Sequence, residues 1–371
     1  CIRDSVPGAP IRGAAWGDDR SAAVCPNVAT HGPRVLASLD GEPQTENSLS
    51  FRASSGVVRA GLVIGVLLGI TLLNTSWLAP DRSGRPFLLA HRGLGQPYDR
   101  TGLTGQTCTA ARSLPSAHGY LENTVPSIRA AFELGASIVE FDVQPTADDR
   151  FVLFHDATLD CRTEASGRTR DYTLEDLQRL DIGYGYTGDG GQSWPFRGQG
   201  VGLMPGLEEV LVAFPHGSFL IDIKSGTVED ARRLGRRLEH HSVNREGKLY
   251  VYGRPEAVDA VVAAAPKVRP VTRPRLKACL TRYLAFGWSG IVPHACRDTL
   301  LTVPANVAPW LWGWPNRFLQ RMDKAGTTLV LLGDYGGEGF STPIDDPQLL
   351  EALPPDYDGG VWTDRIDRLA P

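Results

Sequence analysis

Residues 136–160 read A-S-I-V-E-F-D-V-Q-P-T-A-D-D-R-F-V-L-F-H-D-A-T-L-D. The runs Ser137–Val143 and Phe151–Phe154 are rich in Val, Ile and Phe, so both predict strands. Glu140 and Asp142 lie two positions apart near the end of the first run, and side chains at i and i+2 of a strand point the same way. An exposed edge strand would explain the two acids but not the apolar residues between them. We therefore predict that a divalent cation sits between the carboxylates.

The composition limits the class of protein. The chain has 371 residues, enough for one large domain or two ordinary ones, and its 41 Gly and 27 Pro suit many short connections. Its formal net charge is −4 and it contains no dense run of Lys and Arg. We therefore expect no nucleic-acid partner, and the composition does not indicate an oligomeric state.

An apolar segment near the beginning of the sequence predicts membrane attachment. Ala60–Ala79 is a run of 20 residues without a charge. At about 1.5 Å per residue, a helix of this length spans the roughly 30 Å of a bilayer core. We predict a single transmembrane anchor over residues 57–79. Residues 1–56 are rich in Gly, Pro, Ala and Ser without an apolar period, and they predict a disordered tail.

The charges beside this segment favour one orientation. Arg52 and Arg59 precede the apolar run, which places the tail in the cytoplasm and the large C-terminal part outside it. Arg82 and Arg85 on the other side weaken that bias. Two alternatives stay open: a cleaved signal peptide, which would give a secreted protein, and a buried core helix.

Four cysteines follow the apolar segment, and they allow three pairings. We expect Cys108 to pair with Cys161, because both lie in loops that follow strands of the predicted site. Cys279 then pairs with Cys296. Two disulfides would suit an exported domain, whereas four free thiols would argue against export.

From residue 86 to residue 371 short apolar runs alternate with helical patterns. Such alternation predicts a parallel sheet, and about eight strands over this length favour a closed (β/α)₈ barrel of the TIM type. A doubly wound open sheet is the alternative, but no G-x-G-x-x-G follows the first strand. Besides the two strands above, we predict Phe87–Ala90, Phe219–Ile223, Lys248–Tyr252, Val268–Val271, Gly290–Val292, Pro309–Trp312, Thr327–Leu332 and Gly360–Thr363.

Polar residues follow four successive predicted strands. Functional groups of such barrels gather at the carboxyl ends of the strands. A single His or Asp at a strand end is usually structural, but four such ends in succession indicate a site. These ends carry His91-Arg92, Glu140-x-Asp142, His155-Asp156 and Asp222-x-Lys224.

The residue types indicate a metal-assisted reaction on a phosphate ester. Glu140, Asp142 and Asp222 offer oxygen ligands for a hard cation such as Mg²⁺ or Ca²⁺, while zinc would prefer His or Cys. With one dication, three carboxylates leave a net charge of −1, which would repel an anionic substrate. Arg92 and Lys224 offset that charge and can donate to phosphate oxygens.

Two histidines complete the predicted chemistry. An unperturbed imidazole has a pKa near 6.5, so His91 and His155 are candidates for general base and general acid at neutral pH. A cation, a cationic clamp and a His pair together describe phosphodiester cleavage.

The chain from Phe87 onward resembles the glycerophosphodiester phosphodiesterase family. The combination of segments in this order is highly specific, and it covers essentially residues 86–371. The resemblance rests on L-L-A-H-R-G (88–93), E-N-T (122–124), V-E-F-D-V (139–143), F-H-D-A-T-L-D (154–160), M-P-G-L-E-E-V-L (204–211), I-D-I-K (221–224), L-W-G-W-P-N (311–316) and V-W-T-D-R (361–365).

This resemblance implies a (β/α)₈ barrel that hydrolyses a glycerophosphodiester to glycerol phosphate and an alcohol. It implies that a substrate hydroxyl attacks the phosphorus first and that water then opens a cyclic phosphate. The roles it implies are a catalytic pair (His91 and His155), a metal-binding set (Glu140, Asp142 and Asp222), phosphate contacts (Arg92 and Lys224) and a supporting residue near the metal (Glu122).

The sequence departs from the family pattern in two places. Asp222 stands where many members have Glu, which draws the carboxylate back by about 1.5 Å. The segment between Gly93 and Glu122 is longer than usual, and it predicts a lid or a rim that selects substrates. Two other functions stay open: a phospholipase-D-type lyase acting on lysolipids or sphingolipids, and a non-catalytic surface binding protein.

Overall fold

The computed structural model describes residues 55–80, 82, 84–104, 107–242, 245–337 and 341–370. The tail predicted for residues 1–56 lies outside the described residues, apart from its last two positions.

Parallel strands form a nearly closed barrel, which confirms the predicted fold class. Its eight parallel strands follow the order β6-β5-β4-β2-β1-β9-β8-β7. At the seam between β6 and β7, the hydroxyl of Thr299 donates to the carbonyl of Pro270 over 2.6 Å. The strands are β1 (Phe87–Ala90), β2 (Ala136–Pro145), β3 (Phe151–Leu153), β4 (Ser218–Ile223), β5 (Leu249–Tyr252), β6 (Arg269–Val271), β7 (Leu300–Pro304), β8 (Thr328–Leu332) and β9 (Gly360–Thr363), of which β3 pairs antiparallel with β2.

Helices follow or connect these strands. Threonines begin several of them: the side chain of Thr124 accepts from the N–H of Ser127, and that of Thr272 from the N–H of Arg275. The helices are α1 (Ser55–Asn74), α2 (Val125–Glu133), α3 (Leu174–Gln178), α4 (Leu207–Ala213), α5 (Val228–Ser242), α6 (Pro255–Ala264), α7 (Arg273–Phe286), α8 (Asn316–Lys324), α9 (Pro347–Glu351) and α10 (Ile366–Leu369).

The barrel interior explains where the site lies. Each parallel strand contributes one apolar residue to a buried layer that fills the barrel. Because side chains alternate along a strand, the inward residues beyond this layer point toward the carboxyl ends of the strands. Those positions are polar on several strands, so the apolar layer forms the floor of the site. The layer consists of Leu89, Ile138, Leu220, Tyr250, Val271, Leu300, Val330 and Trp362.

Two disulfides lie outside the barrel interior. Cys108 bonds to Cys161, and Cys279 bonds to Cys296, which confirms the predicted pairing. The first bond joins the long loop after β1 to the segment after β3. The second ties α7 to the connection that leads into β7.

Two of the predicted strands are wrong. Gly290–Val292 is irregular, because Gly290 has a left-handed φ of 82° and Pro293 follows directly. The apolar run between them is too short to pair with a neighbouring strand. Pro309 lies in a short 3₁₀ helix, Ala308–Trp310. The strand at this place in the barrel is β7, whose Leu300, Leu301 and Val303 are fully buried.

The apolar helix is displaced from its predicted position. α1 spans Ser55–Asn74, and a 3₁₀ helix follows at Ser76–Leu78, whereas the prediction covered residues 57–79. No residue of α1 is buried, so the helix is not part of the core. Within the part of the chain that the structure describes, it is the one helix long and apolar enough to cross a membrane.

Candidate active site

Strand register brings the three predicted acidic ligands together. β2 and β4 are neighbouring parallel strands, and Asp142 stands opposite Asp222 in the ladder. Glu140 lies two positions earlier on β2, so its side chain points the same way as that of Asp142. One oxygen from each of the three carboxylates lies within 4.8 Å of the others. The shorter side chain of Asp222 therefore still reaches the cluster.

Asp142 is the most enclosed member of the cluster. Its Oδ1 lies 3.0 Å from Lys224 Nζ, and its Oδ2 lies 3.2 Å from Arg92 Nε. Asn123 brackets it: the amide Nδ2 donates to Oδ2, and the Asn123 Oδ1 accepts the backbone N–H of Asp142, each over 2.9 Å. Burial raises the pKa of Asp142, but Lys224 and Arg92 outweigh that effect and hold the pKa well below its usual range.

In the other two acids of the cluster, Glu140 and Asp222, the environment disfavours the ionised carboxylate. Burial, together with the charge of Asp142, raises the pKa of Glu140 well above its usual range. Burial also raises the pKa of Asp222, although the ammonium of Lys224 lies 2.7 Å from its Oδ2. Asp142 Oδ1 is buried and accepts no well-aligned hydrogen bond. Three crowded carboxylates with a spare acceptor fit a hard divalent cation, which would supply the missing positive charge.

His91 follows β1 and lies between two carboxylates. Its Nδ1 is 2.7 Å from Asp364 Oδ1, and its Nε2 is 3.8 Å from Glu140 Oε2. Asp364 follows β9, the neighbour of β1. The ring of Trp362 on β9 lies 5.0 Å from the His91 ring, between centroids, and supports it from the barrel floor.

His155 reaches the site by a different route from the one predicted. The sequence grouped Phe151–Phe154 with the strands that run toward the site, but β3 runs antiparallel to β2. β2 extends beyond its neighbours, and β3 brings the chain back, so the N–H of Phe154 donates to the carbonyl of Asp142 over 3.1 Å. The hairpin thus returns His155 to the rim beside the acids.

The environment of His155 favours its neutral form. Burial lowers the pKa of His155, and the nearby charge of Arg92 lowers it further. Its Nδ1 lies 2.6 Å from Asp156 Oδ1, which leaves Nε2 for another partner. Asp156 in turn accepts from Arg162 Nε over 2.9 Å.

A chain of buried ion pairs supports the site. Arg92 Nη1 donates to Glu122 Oε1 over 2.9 Å, and Arg162 Nη2 lies 3.2 Å from the same oxygen. Burial raises the pKa of Glu122, but the two guanidinium groups outweigh it and leave the pKa lowered. Glu122 therefore holds two arginines, whereas the neighbouring Asn123 contacts a member of the acidic cluster.

Arg92 and Asn123 both adopt a left-handed backbone, each with φ of 59°. Residues other than glycine seldom adopt it, and it costs on the order of 1–3 kcal/mol. The conformation turns the N–H of Arg92 toward Glu140 Oε2, 3.0 Å away, and the N–H of Asn123 donates to the Arg92 carbonyl over 3.0 Å. The strained backbone thus aligns the residues that surround the acids.

The structure gathers all eight predicted site residues at one end of the barrel. It also adds contacts that sequence reasoning missed: Asp364 beside His91, Arg162 beside Asp156, and Asn123 beside Asp142. Asp364 follows a strand, so the rule applied to the other strand ends would have found it. Nothing in the sequence around Arg162 marks it as part of the site.

Comparison with known proteins agrees with this geometry. Residues 91–246 match the Glycerophosphoryl diester phosphodiesterase family. This part of the chain is similar to that family. The matched range holds all eight predicted site residues, from His91 through Lys224, whereas Asp364 lies beyond it.

Curated relatives give the same family. The chain is 39% identical over 109 residues to a glycerophosphodiester phosphodiesterase of Caldanaerobacter subterraneus, covering 29% of this chain and 41% of the relative. It is 35% identical over 130 residues to one of Bacillus subtilis, covering 33% of this chain and 43% of the relative. The aligned parts therefore span less than half the length of these relatives.

Solved structures share the fold. A glycerophosphoryl diester phosphodiesterase domain from Mycobacterium tuberculosis superposes with a TM-score of 0.53 at 16% identity, over 77% of this chain and 97% of that one. A glycerophosphodiester phosphodiesterase from Agrobacterium tumefaciens gives 0.50 at 19% identity, over 77% and 100%. At these identities the likeness concerns the barrel alone.

Proposed function

We propose that the chain is a metal-dependent phosphodiesterase that hydrolyses glycerophosphodiesters to glycerol phosphate and an alcohol. One observation carries the proposal: a buried carboxylate cluster lies beside two histidines, and each histidine is held at Nδ1 by its own aspartate. These contacts leave both Nε2 atoms available for proton transfer. The family match and the curated relatives support the substrate class.

Glu140, Asp142 and Asp222 would hold the cation, which is Mg²⁺ or Ca²⁺ in this proposal because all the ligands are carboxylate oxygens. A bound dication would neutralise charge on the phosphate and on a substrate oxygen. Lys224 supports the cluster from Asp142 and Asp222, and its side chain remains 23% exposed at the rim. From there its ammonium can donate to a phosphate oxygen.

His155 acts as the general base in this proposal. Since its pKa is lowered by burial, the ring is neutral at physiological pH and can accept a proton at Nε2. That proton comes from the glycerol hydroxyl beside the phosphate. The oxygen forms a bond to phosphorus as the bond to the alcohol oxygen breaks.

His91 acts as the general acid, because carboxylates flank its ring on both sides. Its Nε2 proton passes to the departing alcohol oxygen. In the second half the roles reverse: His91 takes a proton from water, and the water oxygen bonds to phosphorus as the bond from phosphorus to the cyclised glycerol oxygen breaks. His155 returns its proton to that glycerol oxygen. The sum of both halves is hydrolysis with both histidines restored.

Purified full-length protein tests this function. We expect release of glycerol phosphate from glycerophosphocholine, loss of activity in EDTA and recovery with Mg²⁺ or Ca²⁺. Full activity in chelator would contradict the metal requirement, and no turnover of any glycerophosphodiester would contradict the activity. A persistent cyclic phosphate in ³¹P NMR spectra, with lysolipid as substrate, would instead assign the lyase reaction.

We also propose that α1 anchors the protein in a membrane, with the barrel on the non-cytoplasmic side. Its 20 residues are mostly apolar with one charge, Arg59, and none is buried against the barrel. The two disulfides suit an oxidising compartment. In cells, the full chain should resist carbonate extraction and its barrel should be digested by external protease. A soluble protein that begins after α1 would instead indicate cleavage and secretion.

A further inference from the structure

Five large apolar side chains are exposed at the end of α7, in the connection after it and at Trp312, whose Nε1 donates to the carbonyl of Leu284. Their exposed fractions range from 37% for Trp312 to 63% for Ile291. Isolated exposed apolar residues are common, but several of them in one region usually mark an interaction surface. This group, the aromatic patch, consists of Leu284, Phe286, Trp288, Ile291 and Trp312.

The aromatic patch is attached directly to the end of α1. Asn74, the last residue of the helix, donates through Nδ2 to the carbonyl of Trp288 over 2.8 Å. Arg321 Nη2 donates to the carbonyl of Leu73, and its Nη1 donates to Asn74 Oδ1, each over 2.9 Å. The same Nη1 lies 3.0 Å from the carbonyl of Gly287. A buried arginine therefore caps the helix and joins it to the patch.

Further hydrogen bonds hold the remaining parts of the patch together. Trp312 Nε1 donates to the carbonyl of Leu284 over 2.9 Å, and the Tyr283 hydroxyl donates to the carbonyl of Trp312 over 2.8 Å. The hydroxyl of Ser76, just beyond α1, donates to the carbonyl of Gly313 over 2.9 Å. The patch and the helix end are thus parts of one packed structure.

The patch lies at the end of the barrel where the strands begin. α7 runs back from the end of β6, so its last residues and the connection into β7 lie at that end. The connection after β7 also descends to it: the ring of Trp314 lies 5.5 Å from that of Tyr357, three residues before β9. Asn316 Nδ2 lies 3.4 Å from Asp356 Oδ2 on the same segment. The candidate active site occupies the opposite end.

We propose that the aromatic patch rests in the interfacial layer of the phospholipid bilayer that α1 crosses. Tryptophan is enriched at this depth of a membrane because its ring is apolar and its N–H is polar. α7, which carries Leu284 and Phe286, places exposed Arg282 one turn before Phe286. This charge complements anionic headgroups. Continuity with the apolar helix favours lipid over a protein partner.

The seating of the patch in the bilayer decides the side from which a substrate can enter. With the beginning of the strands against the lipid, the active site opens toward water. A deacylated, water-soluble glycerophosphodiester can enter from that side, whereas an acylated lipid would have to leave the bilayer. This consequence rests on the proposed function, but the seating of the barrel does not.

Photocrosslinking of the full chain tests the seating. Benzoylphenylalanine replaces Phe286, Trp288 or Ile291 in single variants, each reconstituted into vesicles of phosphatidylcholine and phosphatidylglycerol. Leu68, 56% exposed in α1, is the positive control. Tyr335 and Leu114 are exposed to 56% and 46% but follow β8 and β1, at the catalytic end, and they are the matched negative controls.

After irradiation, mass spectrometry identifies what each position has captured. We expect lipid adducts at the three patch positions severalfold above those at Tyr335 and Leu114. Adducts no more frequent than at these controls, while Leu68 is labelled, would overturn the proposal. Crosslinks from the patch to a second copy of the chain would overturn it in favour of a protein interface. If Leu68 captured no lipid, both the membrane anchor and the seating of the patch in the bilayer would be contradicted. Labelling does not require turnover, so loss of the proposed function would not imitate any of these results.

Discussion

Asp364 Oδ1 lies 2.7 Å from His91 Nδ1, and the two residues follow neighbouring strands, β9 and β1. His155 makes the same kind of contact with its neighbour in sequence: its Nδ1 lies 2.6 Å from Asp156 Oδ1. Burial raises the pKa of Asp364, but the adjacent His91 outweighs this and leaves the pKa lowered. Each histidine therefore has its Nδ1 fixed by an ionised carboxylate, and the Nε2 of His91 lies 3.8 Å from Glu140 Oε2.

Replacing His91 should remove proton transfer to the leaving alcohol. We expect His91→Ala to lower kcat about 10²–10⁴-fold with little change in KM, since this is the usual contribution of a general acid. Asp364→Asn should lower kcat less, because the ring remains but loses its orientation. Asp358→Asn, which alters a pair with Arg82 at the other end of the barrel, is the matched control. Equal activity of Asp364→Asn and the wild type would show that the pair is structural only.

The acid side of the pH profile should report His155. A general base must be neutral, so kcat/KM falls as pH drops through its pKa, which burial places below the ordinary value of about 6.5. The hydrogen bond that the ring donates to Asp156 favours the protonated form of His155. Asp156→Asn should therefore lower the pKa of His155 further and move the limb to lower pH, besides reducing the rate. Asp171→Asn, an exposed acid paired with Arg168, should leave the limb in place. A shift of the limb to higher pH in Asp156→Asn would contradict the assignment.

Cation binding should release protons. Burial and Asp142 raise the pKa of Glu140 well above its usual range, so a cation that binds this carboxyl should compete with its proton. Calorimetric titration with Mg²⁺ or Ca²⁺ in buffers of different ionisation enthalpy measures that release. Saturating cation should also stabilise the native state, by about 2.7 kcal/mol at 100 times Kd. Asp222→Asn should abolish the stabilisation and Asp222→Glu should retain it. Equal stabilisation of all three proteins would place the cation elsewhere.

Sequence alone could predict most of the site because it depends on alternation along strands. Glu140 and Asp142 share a face whatever the neighbours of β2 are, and a parallel barrel brings Asp222 and His91 to the same end. The direction of β3 could not be predicted, since an apolar run reads the same in either direction. Arg162 enters the site through a loop, where neither periodicity nor strand ends give a signal.

The seventh strand was missed for a local reason. L-L-T-V-P ends in proline and follows the irregular segment after α7, so it resembles a loop in sequence. It forms a strand because Leu301 and Val303 are buried against the helices, while Leu300 fills the barrel interior. Only the closed barrel supplies both of these environments, so tertiary packing decides the structure of this segment.

The two disulfides should contribute unequally to stability. Their sequence separations are 53 residues for Cys108–Cys161 and 17 for Cys279–Cys296. A crosslink restricts the unfolded chain more when it closes a longer loop, which gives about 4 kcal/mol for the first and about 3 kcal/mol for the second. Urea unfolding of the double variants Cys108→Ser/Cys161→Ser and Cys279→Ser/Cys296→Ser measures these losses.

The first disulfide, Cys108–Cys161, also joins the loop that carries Arg162 to the loop after β1, so its removal should lower kcat as well. The second lies away from the catalytic end and should leave kcat unchanged. A larger loss of activity from the second pair would contradict this division between the two ends of the barrel.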